Sequence, residues 1–529
     1  VLALELVVVL GLAVLLCNAV GPHLRIAPPI LLLLTGAVLG FIPALREVRM
    51  PPEAVLLLFL PALLFWESLT TSLREIRRDL RAIVLMSTLL VVLTAWAVAA
   101  VAHALGLPWG PAWVLGAALA PTDATAVGVL ARALPRRNVT LLRAESLIND
   151  GTALVIYGLA VGITVGEEHF TLPHVTWLFL ISYVGGAAAG AVTAWLGLRL
   201  RRLFTDPILG NVALIVIPFT AYLLAEEIEA SGVLAVVVAG LVMSQAGPRF
   251  AGVAAMRRQA EAFWSLATFV LNGALFVLVG LQAQSAARTL SGSDLTDALI
   301  AVATVSATLI AARFAFLHSF PYLIRLLDRR PQQRLRRMGN RPRAVMSLAG
   351  FRGAVSLALA LSVPITLDSG DPFPNRDTIV FVTSGVIVVT LLVQGLLLPA
   401  VVRWAGLPRD TVADEERLLA ESTAAEEAYE ALPDIVAGLG TDPEIAERIR
   451  REYETHLQAA HAGEDETDDR QAVRHAEQDA ALRLALLAHK RATVVRLRDD
   501  NHIDDSVLRQ VQARLDLDEV RLTQQETVD

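Results

Sequence analysis

Six charged side chains interrupt apolar stretches of this 529-residue chain: Glu67, Asp123, Glu145, Asp150, Arg313 and Arg352. An ionised group at the centre of a bilayer costs at least about 2.5–3.5 kcal/mol on insertion scales, so each needs a partner or a task. Four acids against two arginines leave an excess of negative charge. In a low-dielectric setting that excess suits a cation or protons, whereas a carrier of organic anions calls for the opposite balance. In Glu145-Ser146-Leu147-Ile148-Asn149-Asp150-Gly151, helical spacing puts Ser146 and Asp150 on one face and Glu145 with Asn149 on another. Hydroxyl, carboxylate and carbonyl oxygens are the ligands hard cations prefer. A carbonyl is available at Thr122, beside Pro121, whose missing N–H interrupts a helix. A carboxylate that gives up a proton as it takes a sodium ion has to titrate near ambient pH.

Each of these residues also has a purely structural reading. Asp150 can be half of an ion pair and Asp123 can cap a half-helix, although intramembrane acids read foremost as functional. Glu145 and Arg313 read first as a structural pair holding two parts of the fold together. Arg352 is either a fixed counter-charge at a helix break or a group tuning the acids. Glu67 is either a peripheral ligand or a snorkelling rim residue. Asn272, in Leu271-Asn272-Gly273, reads as a helix–helix hydrogen bond.

The elements that must hold these residues are transmembrane helices. The chain is 55% hydrophobic and 18% charged, with a mean hydropathy of +0.55, which leaves too little polar surface for a soluble protein of this length. About thirteen apolar segments of bilayer-spanning length can be placed, among them 53–71, 110–133, 145–166, 263–284, 297–320 and 344–364. Arginines alternate between the loops so defined, 23 on one side and 4 on the other. By the positive-inside rule this places the amino terminus outside and the carboxy-terminal tail in the cytoplasm. The charge divides as well. Residues 1–407 hold 30 Lys and Arg against 22 Asp and Glu, and residues 408–529 hold 15 against 30. Two domains follow: a membrane domain, 1–407, and an acidic tail, 408–529, that reads as helical.

Segments 110–133 and 344–364 each carry a break, Ala120-Pro121-Thr122-Asp123 in one and Gly350-Phe351-Arg352-Gly353 in the other. They lie seven segments apart, so equivalent elements would cross the membrane in opposite directions. Paired broken segments in two halves point to a transport site near the midplane, with two inverted six-helix repeats joined by the seventh segment. The expected fold is therefore an all-α polytopic membrane protein with two broken, crossing helices.

At these residues the sequence resembles the cation:proton antiporter superfamily, in the branch of bacterial sodium/proton antiporters and animal sodium/hydrogen exchangers. Pro121-Thr122-Asp123, Glu145 to Gly151 and Gly350-Phe351-Arg352-Gly353-Ala354-Val355-Ser356 carry the likeness, supported by Ser231 to Gly240 and Phe269 to Gly273. It covers about residues 1–405 in order and spacing. The resemblance implies a homodimer in which a core domain slides past a dimerisation domain. It implies that Asp150 is the essential carboxylate for cation and proton, with Asp123, Ser146, Glu67 and the Thr122 carbonyl as further Na+ ligands or near neighbours. Asn149, Glu145, Arg313 and Arg352 would structure the site, Glu145 pairing with Arg313 and Arg352 stabilising the crossing. The Asn149-Asp150 pair is that of the electroneutral branch, which implies one-for-one exchange of Na+, with Li+ or K+ as further candidates, for H+. One departure stands out: Ala124-Thr125 follow Asp123 where many relatives have a proline.

No nucleophile–base constellation, metal-ligand spacing or nucleotide fingerprint is visible, so neither an enzyme, a cofactor nor a nucleic-acid partner is expected. The partners expected are Na+ and H+, membrane lipid and a second copy of the chain. A channel is disfavoured by the opposed broken helices and the lack of a pore-loop repeat. The location expected is a cell membrane, that of a bacterial inner membrane, and the role pH homeostasis. The loop Arg325–Arg343 is rich in arginine and suits anionic headgroups. In the tail, Gly463–Arg470 reads as an acidic break between helical portions.

Overall fold

The computed structural model describes residues 2–24, 28–46, 55–71, 73–123, 136–166, 172–204, 206–246, 254–289, 292–327, 339–407, 412–462 and 469–500, with 502, 511, 512, 515 and 519. The chain divides into two compact units, Val1–Arg409 and Asp410–Asp529.

The first unit is built from helices. In order they are α1 (Leu2–Leu24), α2 (Pro28–Leu39), α3 (Leu60–Thr70, entered through a π-helical turn Val55–Phe59), α4 (Leu73–Ala104), α5 (Trp109–Leu119) and α6 (Arg136–Val165). Then come α7 (Leu172–Leu203), α8 (Pro207–Glu226), α9 (Gly232–Ala246), α10 (Ala254–Thr289) and α11 (Gly292–Leu327). The last are α12 (Asn340–Leu348), α13 (Ala354–Leu361) and α14 (Arg376–Ala405). A single turn, Pro43–Arg46, follows α2.

Among the described residues eight helices are long and apolar enough to cross a membrane, and α2, the α3 region and α9 are shorter apolar helices. Large apolar side chains point outward along several of them: Leu12 and Leu15 on α1, Trp177 and Trp195 on α7, Val212 on α8, Leu266 on α10 and Leu396 on α14. Water would not tolerate so much exposed apolar surface, and lipid does. The chain is a multi-pass membrane protein.

In lipid the helices gain little from hydrophobic burial against one another, so close packing must hold them together. The α2–α10 crossing shows how. A Cβ built on Gly36 would lie 2.0 Å from the Val277 carbonyl oxygen, and one on Gly280 the same distance from that of Leu33. Only the two glycines let these backbones touch.

Two helices stop short inside this unit. α5 ends at Leu119, and Pro121, Thr122 and Asp123 run on without helical structure. Residues 124–135, with Thr125 and the rest of that segment, lie outside the described residues. α12 ends at Leu348, residues 349–353 form a non-helical link, and α13 resumes at Ala354. The basic stretch named from sequence is less uniform than a loop. Arg325 continues α11, whereas Arg341 and Arg343 belong to α12, and Arg343 is buried.

The second unit contains α15 (Val412–Leu439), α16 (Pro443–Ala462) and α17 (Asp469–Asp499). Gly440, at φ +62°, reverses the chain between α15 and α16. Asp442 Oδ1 accepts from the Glu444 amide 2.8 Å away, capping α16 at its start. The Tyr429 hydroxyl donates to Glu454 across that hairpin at 2.6 Å. Glu454 holds the phenolic proton there and so raises the Tyr429 pKa.

Candidate functional site

The two helix breaks meet. The Asp123 amide donates to the Phe351 carbonyl at 2.8 Å. Arg352 Nη1 donates to the carbonyls of Ala120 at 2.7 Å and Pro121 at 2.8 Å. These are the carbonyls that α5 leaves without helical partners where it stops, and a guanidinium is the favourable charge at a helix carboxy terminus. Arg352 is therefore a cap on the neighbouring half-helix. At the other break, a Cβ built on Gly353 would fall 1.7 Å from Asp123 Oδ2. The Asp123 carboxylate thus sits against the first residue before α13, where a helix amino terminus favours negative charge.

α6 supplies the opposite side. Ser146 Oγ donates to the Thr122 carbonyl at 2.9 Å and Asn149 Nδ2 donates to Thr122 Oγ1 at 2.7 Å. Thr122 is thus gripped at both its polar groups by residues three apart on α6, and this fixes the unwound peptide. Asp150, the next residue, is 3% exposed, and its Oδ1 has no hydrogen-bond partner among the described residues. A buried carboxylate oxygen left without a donor is costly unless an ion or a proton completes it.

A narrow cleft opens beside it, lined by Glu67, Asp123, Ser146 and Asp150 as well as by Asn272, with Leu60, Leu64, Leu275, Val355 and Ala358 among its apolar walls. Thr122 does not line this cleft. It sits behind, engaged by Ser146 and Asn149, and its carbonyl carries one donor already. Glu67, near the end of α3, faces the cleft. Among the described residues no three carboxylate, His or Cys groups converge on one metal position, so the acids form an open wall and not a closed cage.

Glu145 and Arg313 lie apart from this cleft. Arg313, on α11, meets Glu145 in a two-pronged pair, Nη1 to Oε1 at 2.5 Å and Nη2 to Oε2 at 3.2 Å. Its Nε donates to the Met346 carbonyl of α12 at 3.2 Å. Both side chains are buried. This node ties α6, α11 and α12 together, and planar bidentate geometry is what arginine offers a carboxylate.

Asn272 differs from its sequence reading. No hydrogen bond joins it to another helix among the described residues; it faces the cleft. The sequence showed an amide in an apolar helix, but only packing reveals that no neighbour answers it. Two further contacts escaped sequence reading. Thr152, one residue beyond Gly151, meets the Tyr183 hydroxyl of α7 at 2.5 Å, and Ser362 donates to the Tyr157 hydroxyl at 3.1 Å. Both tie α6 to its neighbours in the two turns beyond Asp150.

The family profile described as "Sodium/hydrogen exchanger, transmembrane" matches residues 10–404. The chain belongs to that family. An uncharacterised Na+/H+ exchanger of Mycobacterium tuberculosis H37Rv is 45% identical to this exchanger over 525 residues, 99% of the chain and 96% of the relative. A sodium, potassium, lithium and rubidium/H+ antiporter of Bacillus pumilus is 31% identical over 375 residues, 69% of this chain and 56% of that one. The exchanger also superposes on the sodium proton antiporter MjNhaP1 of Methanocaldococcus jannaschii, solved at pH 8, with a TM-score of 0.58 and 19% identity, covering 76% of this chain and 99% of that one. That likeness bears on the fold alone.

Proposed function

We propose that this exchanger is a secondary active antiporter in which Na+ and H+ compete for Asp150 and are exchanged one for one. The observation that carries this is the unpartnered Asp150 oxygen at a cleft that also holds Glu67, Asp123 and Ser146. A site with one carboxylate oxygen awaiting a ligand can be completed by a proton or by a metal cation, and not by both at once. Asn149 is occupied with Thr122 and carries no charge, so one carboxylate at that end of α6 titrates. If it alternates between one proton and one Na+, the cycle moves no net charge and a membrane potential does not drive it.

Asp123, Ser146 and Glu67 are assigned as further ligands, and the Thr122 carbonyl as a near neighbour held in place by Ser146. Arg352, Asn149 and the Glu145–Arg313 pair hold the geometry. The arginine distribution supports an outside amino terminus and a cytoplasmic tail in a cell membrane, and the family resemblance supports a homodimer. Potassium as an additional substrate is a second reading, favoured by the Bacillus pumilus relative, a sodium, potassium, lithium and rubidium/H+ antiporter.

The test is cation-dependent proton movement in proteoliposomes, wild type beside Asp150→Asn, with Na+, Li+ and K+ supplied in turn and the potential clamped. Exchange that the substitution abolishes, and that an imposed potential leaves unchanged, is the expected result. Activity surviving Asp150→Asn would sink the carboxylate mechanism, and a potential-driven signal would sink the one-for-one stoichiometry.

A further inference from the structure

We infer that Asn272 is a specificity-determining residue: its carboxamide oxygen accepts a hydrogen bond from a water of the cation's shell, so that the ion binds at Asp150 partly hydrated. The inference rests on the carboxylate site proposed above and assigns a role to a further residue lining the same cleft.

Three observations carry it. First, the acids do not form a cage, since no three of them converge on one metal position among the described residues. A hard cation seeks at least about six oxygen ligands, so the few protein oxygens that can reach one ion beside Asp150 leave coordination positions for water. Second, the rest of the cleft lining is apolar: Phe59, Leu60, Leu63 and Leu64 from the α3 region, Leu275 from α10, and Val355 and Ala358 from α13. Asn272 is the polar side chain α10 contributes to the lining. Third, Asn272 has no hydrogen bond to protein among the described residues, so its amide is free to serve a ligand in the cleft. A water bound to a cation turns its hydrogens outward. The group that can receive them on α10 is the amide oxygen.

The consequence is selectivity. The smallest ion holds its water hardest and reaches the fewest protein oxygens at once. Loss of the acceptor therefore penalises Li+ more than Na+, and Na+ more than K+. A structural role for Asn272 would instead lower turnover for all three ions together.

The experiment measures the apparent KM and maximal rate for Li+, Na+ and K+ in proteoliposomes of the full chain, for wild type, Asn272→Leu and Asn272→Ser. Expected for Asn272→Leu is a rise of about tenfold in the Na+ KM, the size of one lost hydrogen bond to a charged ligand system. The maximal rate should stay within about twofold, and the Li+/Na+ selectivity ratio should fall at least about threefold. Asn272→Ser, which restores an acceptor, should recover most of the Na+ KM. The selectivity ratio is independent of how much variant protein folds, so poor expression does not blunt the test. An unchanged ratio in Asn272→Leu, or a fall in maximal rate with the KM values fixed, overturns the inference. Asp150→Asn is run in parallel: if it retains exchange, the carboxylate site fails, and that failure is separate from any result at Asn272.

Discussion

Glu145 and Asp150 stand five residues apart on the same buried helix, yet their surroundings are opposite. Both oxygens of Glu145 are met by the Arg313 guanidinium, which also bonds the Met346 carbonyl. Asp150 is as deeply buried, and its Oδ1 meets no donor among the described residues. Two acids alike in burial are thus separated by saturation: one is built into the scaffold and the other keeps an oxygen that no donor meets among the described residues. Charge in an apolar helix therefore does not by itself mark a transport site. Under the proposed mechanism, an unmatched carboxylate oxygen at a cleft does.

Substitutions sharpen this contrast. Asp150→Asn should abolish Na+-driven proton movement, a loss of more than about a hundredfold, while melting in detergent stays level or rises, because a neutral amide replaces an uncompensated buried charge. Glu145→Gln should do the reverse. It leaves Arg313 buried without its counter-charge, which costs about 3–5 kcal/mol. Thermal unfolding should shift down strongly while the surviving folded fraction keeps its Na+ KM. If Asp150→Asn proves the more destabilising of the two, the contrast fails.

Gly353→Ala strikes the cleft without removing a charge. Glycine here is not needed for its backbone angles, since φ is −149°. It is needed because a Cβ would lie 1.7 Å from Asp123 Oδ2 and 2.5 Å from its Cγ. The carboxylate must move off the amino terminus of α13, and exchange should fall at least about tenfold. Measuring Na+ KM beside expression separates displaced ligand from lost fold, and wild-type KM in this variant would remove Asp123 from the ligand set.

Much of this arrangement was legible in the sequence, and the missing parts share a cause. Four acids and two arginines were visible because an apolar background makes each charge conspicuous. The breaks at Pro121 and at Gly350 to Gly353 were visible because proline and glycine disrupt helices locally. Partnership is a long-range fact. That Arg352 serves carbonyls 231 and 232 residues away, or that Asn272 has no hydrogen-bond partner among the described residues, follows from packing that no local pattern encodes. Arg343 illustrates the same limit. As one more arginine in a basic stretch it read as loop, whereas it is buried on α12.

Competition at a single carboxylate also fixes a sign for pH. A proton must leave before Na+ enters, so lowering pH below the titration of the site raises the apparent Na+ KM, about tenfold per unit. The maximal rate at saturating Na+ should change far less over the same range. Initial exchange rates across pH and Na+ concentration check this, and a KM indifferent to pH would mean that proton and cation occupy different groups.

The smallest effect expected is at the crossing itself. Ser356 Oγ lies 3.5 Å from the Pro121 carbonyl, at the limit of a hydrogen bond, and Arg352 Nη1 reaches the same oxygen at 2.8 Å. The arginine bond is shorter and charge-assisted, and it also serves Ala120. Ser356→Ala therefore removes a contact whose acceptor is already satisfied, and exchange should change by less than about twofold. Arg352→Gln, by contrast, strips the end of α5 of its charged cap and should lose most of the activity. Equal losses in the two variants would mean that the half-helix is held by hydroxyl and guanidinium as one network, and that the crossing does not depend on its charge.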